Sequence, residues 1–232
     1  FIFMPSKHYR HYYEMIMDDF NAMQGESIFS GLFHQNHKEV IAVLVSMAVQ
    51  YTHIENFEAA KNCLEAAEQK LYQYPETQQN SIMFMMEYHT GKLFEAMGND
   101  DAALQKYITL TNTLEEDVSL VYVLQSMVNL YFKQKQWVQV QTYCDRAMHL
   151  AERLQMNYVY IQLVVVRANM LRIRQDETGY EKELKKALSL AKDASLSKLI
   201  KEIAYTLGDN YMEQRFYKKS SEYYKIALLA TK

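Results

Sequence analysis

The 232 residues carry 25 Lys and Arg against 28 Asp and Glu, a formal net charge of −3, which excludes the basic excess of a dedicated nucleic-acid or anionic-membrane binder. Hydrophobic residues make up 49% and charged residues 23%, a balance that suits a folded globular chain and not a disordered one. Six Gly and two Pro, where average usage gives roughly 16 and 12, are too few for an all-β chain and point to long helices.

The opening FIFMPSK has no charged segment followed by an apolar run and a small-residue cleavage site, so no secretory signal is visible. The sequence reads as a piece of a longer protein. His8 to Gln24 has the pattern of an amphipathic helix ended by Gly25. Residues 1–39 are assigned to an N-terminal helical segment, either the second arm of a truncated repeat or the end of an upstream domain. Val40 to Val49 is the most apolar run, and at about ten residues it is too short to span a bilayer.

From there on the chain repeats itself. Five stretches share a frame that opens on Ala48, Gly91, Val128, Ala168 and Gly208, spaced by 43, 37, 40 and 40 residues. The frame closes on Ala67, Leu110, Ala147, Ala187 and Ala227, at the same four spacings. Both anchors keep one internal distance, so the length variation lies between units. Within the frame an aromatic or large apolar residue stands three positions after the opening anchor, as Tyr51, Phe94, Tyr131, Leu171 and Tyr211. Apolar residues recur at intervals of 3, 4 and 7, the helical period. Each unit reads as a helix pair: small residues allow close approach, aromatics fill the groove between the arms, and stacked neighbours complete the core. The five repeats are expected at about 41–74, 84–117, 121–154, 161–194 and 201–232. YPETQQNS (Tyr74 to Ser81), with Pro75, reads as a loop; TLEEDVSL reads as a helix start and DASLSK as a third connection.

No catalytic constellation appears. Phosphate-binding glycine loops, nucleophile elbows and H-E-x-x-H are all missing, so no catalytic residue, metal or cofactor is assigned and the chain is read as a non-enzyme. The seven His, at 8, 11, 34, 37, 53, 89 and 149, read as surface polar residues, and His34-x-x-His37 has only loose ligand spacing. Cys63 and Cys144 suit small core positions; two Cys make no disulfide framework and fit a reducing cytosol. Met85, Met86, Met127 and Met170 suit a helical core.

LGDNY at 207–211, Gly98 and the closing alanines make the sequence resemble the tetratricopeptide repeat, over about residues 41–232. The resemblance implies an all-α, right-handed superhelical solenoid of helix pairs, whose first helices line a concave surface. Its exposed positions would be Val45, Val49 and Thr52, then Tyr88, Lys92 and Glu95, then Gln125, Asn129 and Phe132. Val165, Asn169 and Arg172 follow, and last Tyr205, Asp209 and Met212. Asn129 and Asn169 hold the same frame position, and each can both donate to and accept from an extended peptide backbone. Gln125 and Gln162 could add to this, while Val45, Val49, Phe132 and Met212 could make apolar pockets; alternatively these Asn merely hydrate the surface.

The units near 40 residues, the Tyr-rich first helices and the groove Asn further resemble the bacterial peptide-pheromone receptors of the Rap, NprR and PlcR type. That resemblance implies a cytoplasmic quorum-sensing regulator that binds a short linear peptide, with its transcriptional or phosphatase output upstream. The alternative is a constitutive scaffold that docks a protein partner. A homodimer is a further expectation; membrane and direct nucleic-acid contact are not expected.

Overall fold

The computed structural model describes residues 37–72 and 79–230. Ten α-helices and no strand occur among them: α1 (His37–His53), α2 (Phe57–Leu71), α3 (Gln79–Ala96), α4 (Asp100–Thr113) and α5 (Val118–Lys133). They continue with α6 (Trp137–Arg153), α7 (Asn157–Ile173), α8 (Glu177–Asp193), α9 (Ser197–Glu213) and α10 (Tyr217–Leu229). The N-terminal segment before His37 and most of the YPETQQNS loop lie outside the described residues. The chain is an all-α helical-repeat fold, and it divides into two compact units, one ending at Ala103 and the other beginning at Leu104.

One turn builds nearly every connection. Glu55, Gly98, Lys135, Gln155, Gln175, Ser195 and Arg215 all take positive φ, between 53° and 76°. At each, the left-handed residue donates its N–H to the carbonyl three residues back, and the next residue donates to the carbonyl five back. Gln155 and Met156, for example, donate to Glu152 and Ala151 at 3.1 and 2.8 Å. This is the Schellman ending, which satisfies the last carbonyls of a helix. The residue after it then caps the following helix: the Met156 carbonyl accepts from Tyr160 at 3.0 Å. Asn56, Asn99 and Asp176 add a side-chain cap, accepting from the N–H of Ala59, Ala102 and Gly179. The connection into α5 differs, with Asp117 accepting from Ser119 and Leu120.

In the first unit α1, α2 and α3 pack mutually. Ile41, Met47, Ala48, Ala60, Cys63, Leu64, Ala67 and Leu93 form the core, with Met85 against it. In the second unit each helix packs on the next, α5 on α6 through to α9 on α10, and the first helices of successive pairs also touch, α5 with α7 and α7 with α9. Val128, Ala147, Ala168, Ala187 and Ala227 are fully buried. Cys144 is buried too, which pushes its thiol up to about 11. At the crossing of α9 on α10 a Cβ on Gly208 would lie 2.5 Å from the Tyr224 ring. The Gly208 carbonyl there accepts from the buried Ser220 hydroxyl at 2.8 Å.

Six of the seven turn residues are not glycine, and each non-glycine residue in this conformation costs on the order of 1 kcal/mol. Lys135→Gly, Gln155→Gly and Gln175→Gly are each expected to raise stability, by up to about 1 kcal/mol. Gly98→Ala is expected to lower it by about as much. Urea unfolding of the four variants checks both signs.

Candidate functional site

The first helices of the second unit each bury one face and share an open stripe on another. On α5 the stripe steps by four and three through Val118, Tyr122, Gln125, Asn129 and Phe132, of which Val118, Tyr122 and Asn129 are exposed and the others half-buried. On α7 it runs through Tyr158, Gln162, Val165 and Asn169, all half-buried, to the exposed Arg172. On α9 Lys198, Glu202, Tyr205, Asp209 and Met212 are all exposed. Residues at these steps share one helix face, and α5, α7 and α9 lie side by side. The result is a grid of three parallel stripes.

Side chains tie the stripes together. Gln125 Nε2 donates to Gln162 Oε1 at 2.7 Å, joining α5 to α7. Arg172 pairs with Glu213 at 2.7 Å, joining α7 to α9, and its guanidinium stands 5.3 Å from the Tyr180 ring centroid. From α10 the Tyr224 hydroxyl donates to Asp209 Oδ1 on α9 at 2.7 Å, a bond that raises the phenol above its usual range. The Tyr205 and Tyr224 rings lie 6.0 Å apart. Asn129 and Asn169 keep equivalent places on adjacent stripes, with Asp209 as the third member of that row.

The sequence stopped short at the helix starts. Val118, Tyr122, Tyr158, Lys198 and Glu202 belong to the same stripes, and continuing the 4-and-3 stepping back from Gln125, Gln162 and Tyr205 would have found them. In the first unit the expectation fails for Val45, which is 2% exposed. With Ile41 and Ala48 it forms the face of α1 that builds the core, so it offers no pocket to a ligand. Val49 is half-buried, and the Thr52 hydroxyl donates to the Ala48 carbonyl of its own helix at 2.8 Å. Tyr88 is half-buried and stacked on Phe84, and Lys92 pairs with Glu95 at 3.0 Å.

A separate open crevice of about 320 Å³ is lined by Glu177, Thr178, Glu181, Lys182, Lys185 and Gln214. Its central charges pair with each other, Lys185 to Glu181 at 2.5 Å. Burial alone would raise the Glu181 carboxyl, but the Lys185 ammonium holds it below the usual range. The buried Tyr211 hydroxyl lies against this pair without an aligned hydrogen bond to either.

Among the described residues no three His, Cys, Asp or Glu side chains gather as a metal site, and no helix is long and apolar enough to cross a membrane. His53 and His149 are exposed as expected, but His89 is half-buried beside Tyr88. Burial first, and Lys92 second, lower its pKa from 6.5 to about 4. The folded state therefore binds this proton less readily than the unfolded chain. Stability is expected to fall as pH drops from about 6.5 toward 4, and to be insensitive to this group above 6.5. His89→Phe should flatten that part of the stability–pH curve, as thermal unfolding at stepped pH would show.

No protein-family model matches the chain, and no curated protein matches it. Among solved structures it is similar to BtubC (BKLC) from P. vanneervenii, with TM-score 0.68 and 15% identity over 83% of this chain and 81% of that one. At that identity the likeness is one of fold.

Proposed function

We propose that the stripes of α5, α7 and α9 form a groove for a short extended peptide, and that the chain is the sensor part of a cytoplasmic, quorum-sensing-type regulator built on tetratricopeptide-like repeats. The observation that carries this reading is the row of equivalent polar side chains, Asn129, Asn169 and Asp209, on three touching helices. Packed helices lie about 8–10 Å apart and an extended chain rises about 3.3 Å per residue. A peptide crossing the stripes would thus meet one row member about every third residue, and three stripes suit about seven residues. An amide side chain can serve both the N–H and the C=O that such a backbone offers. Tyr122, Phe132, Tyr158, Tyr205 and Met212 flank the row with apolar surface for side chains. The Gln125–Gln162 bond fixes two stripes relative to each other before a ligand arrives.

A constitutive protein-docking scaffold is the second reading, and the exposed Val118 and Tyr122 would serve it equally. A selection of displayed random heptapeptides on the whole chain separates the two. The groove reading predicts enriched sequences whose binding weakens in Asn129→Ala and in Asn169→Ala. Each loss should be roughly 1–3 kcal/mol, about 5- to 150-fold, because peptide amides are left unpaired. No enrichment, or wild-type affinity in both variants, would contradict it.

A further inference from the structure

The charge of the three stripes is uneven. That of α5 carries no ionisable group apart from the Tyr122 phenol, and that of α7 ends on Arg172, already paired with Glu213. The α9 stripe holds two carboxylates, Glu202 and Asp209, on either side of Tyr205, with Lys198 four residues ahead of Glu202. Asp209 is exposed, and Tyr224 is the partner that fixes its carboxylate. One oxygen accepts the phenolic hydrogen, and the other stays open to a ligand. Two rings stand beside it: Tyr205, 37% exposed, and Tyr224, half-buried, with their planes tilted by 50°.

A carboxylate held by a phenol hydroxyl, beside two tilted aromatic rings, favours one kind of ligand. The faces of the rings are negative, so both they and the carboxylate attract an organic cation, and the rings also shield its apolar stem. Gly208 is what allows the arrangement. With any larger residue there, a Cβ 2.5 Å from the Tyr224 ring would drive that ring away from Asp209.

We propose that Tyr205, Tyr224 and Asp209 form a cation-recognition subsite, which reads the guanidinium or ammonium of a basic side chain in the peptide. This rests on the groove reading for its natural ligand, but the subsite itself can be probed without a peptide. The probe is ethylguanidinium, with the neutral isostere N-ethylurea as control, titrated into the whole chain labelled at its tyrosine rings and followed by NMR. The Tyr205 and Tyr224 ring signals should shift saturably with ethylguanidinium and not with the urea. Asp209→Asn keeps an oxygen to accept from Tyr224 and should abolish the shift with the rings still in place. Tyr205→Leu should weaken it about two- to fivefold.

Equal response to the urea, or an undiminished response in Asp209→Asn, overturns the proposal. In the heptapeptide selection, enriched sequences should carry Arg or Lys, and replacing it by citrulline should cost at least about tenfold. Peptides that bind with no basic preference, together with no ethylguanidinium shift, would sink the subsite and leave the groove. A saturable ethylguanidinium shift with no peptide enriched would sink the groove and leave the subsite.

Discussion

The three-residue left-handed turn sets the register on which everything else in the second unit depends. It falls at residues 135, 155, 175, 195 and 215, twenty residues apart each time. Between these turns the helices α6, α7, α8 and α9 are all 17 residues long. Because the beat is constant, equivalent residues of alternate helices arrive at the same angle around their axes. Asn129 and Asn169, or Arg172 and Met212, therefore face the same way on their own helices. A one-residue change in a single turn would rotate every later stripe by about 100°. A fixed turn thus aligns the first-helix side chains into rows.

The second constraint is size matching within each pair. Sixteen residues after the opening anchor stands a residue whose bulk complements it. Ala48 goes with Leu64, Val128 with Cys144, Ala168 with Leu184, and Gly208 with Tyr224. The smallest anchor meets the largest partner, as close packing requires when helix spacing is held constant. In the last pair this matching reaches the surface. The ring that fills the space over Gly208 ends in the hydroxyl that orients Asp209. Core packing and the exposed face are linked there through one tyrosine.

The anchors of the repeat were legible in the sequence because burial restricts them to small or apolar types, and the closing alanines are fully buried. The turns were not. Lys, Gln, Ser and Arg occupy conformations that glycine signals more plainly, and only Gly98 gave that sign. The even 20-residue beat was therefore hidden behind a 40-residue one. Val45 misled because α1 is apolar on nearly all sides, so frame position alone could not tell its open face from its core face. His89 misled in the same manner, as a polar residue on a half-buried face. The stripe residues of α5, α7 and α9 could be placed on one face from spacing. The Gln125–Gln162 bond and the Tyr224–Asp209 bond join residues 37 and 15 positions apart, and spacing alone does not show which side chains meet.

The proposal that the first-helix face, and not the second-helix face, receives an extended peptide stands on the aligned rows of α5, α7 and α9. Photo-crosslinking tests it most directly, using a groove-selected heptapeptide with a benzophenone side chain at each position in turn, followed by mass-spectrometric mapping. The account predicts crosslinks on α5, α7 and α9, moving from Tyr122 and Asn129 through Asn169 to Tyr205 as the label moves along the peptide. Crosslinks concentrated on α6, α8 or α10, or ones that do not move with the label, would contradict it.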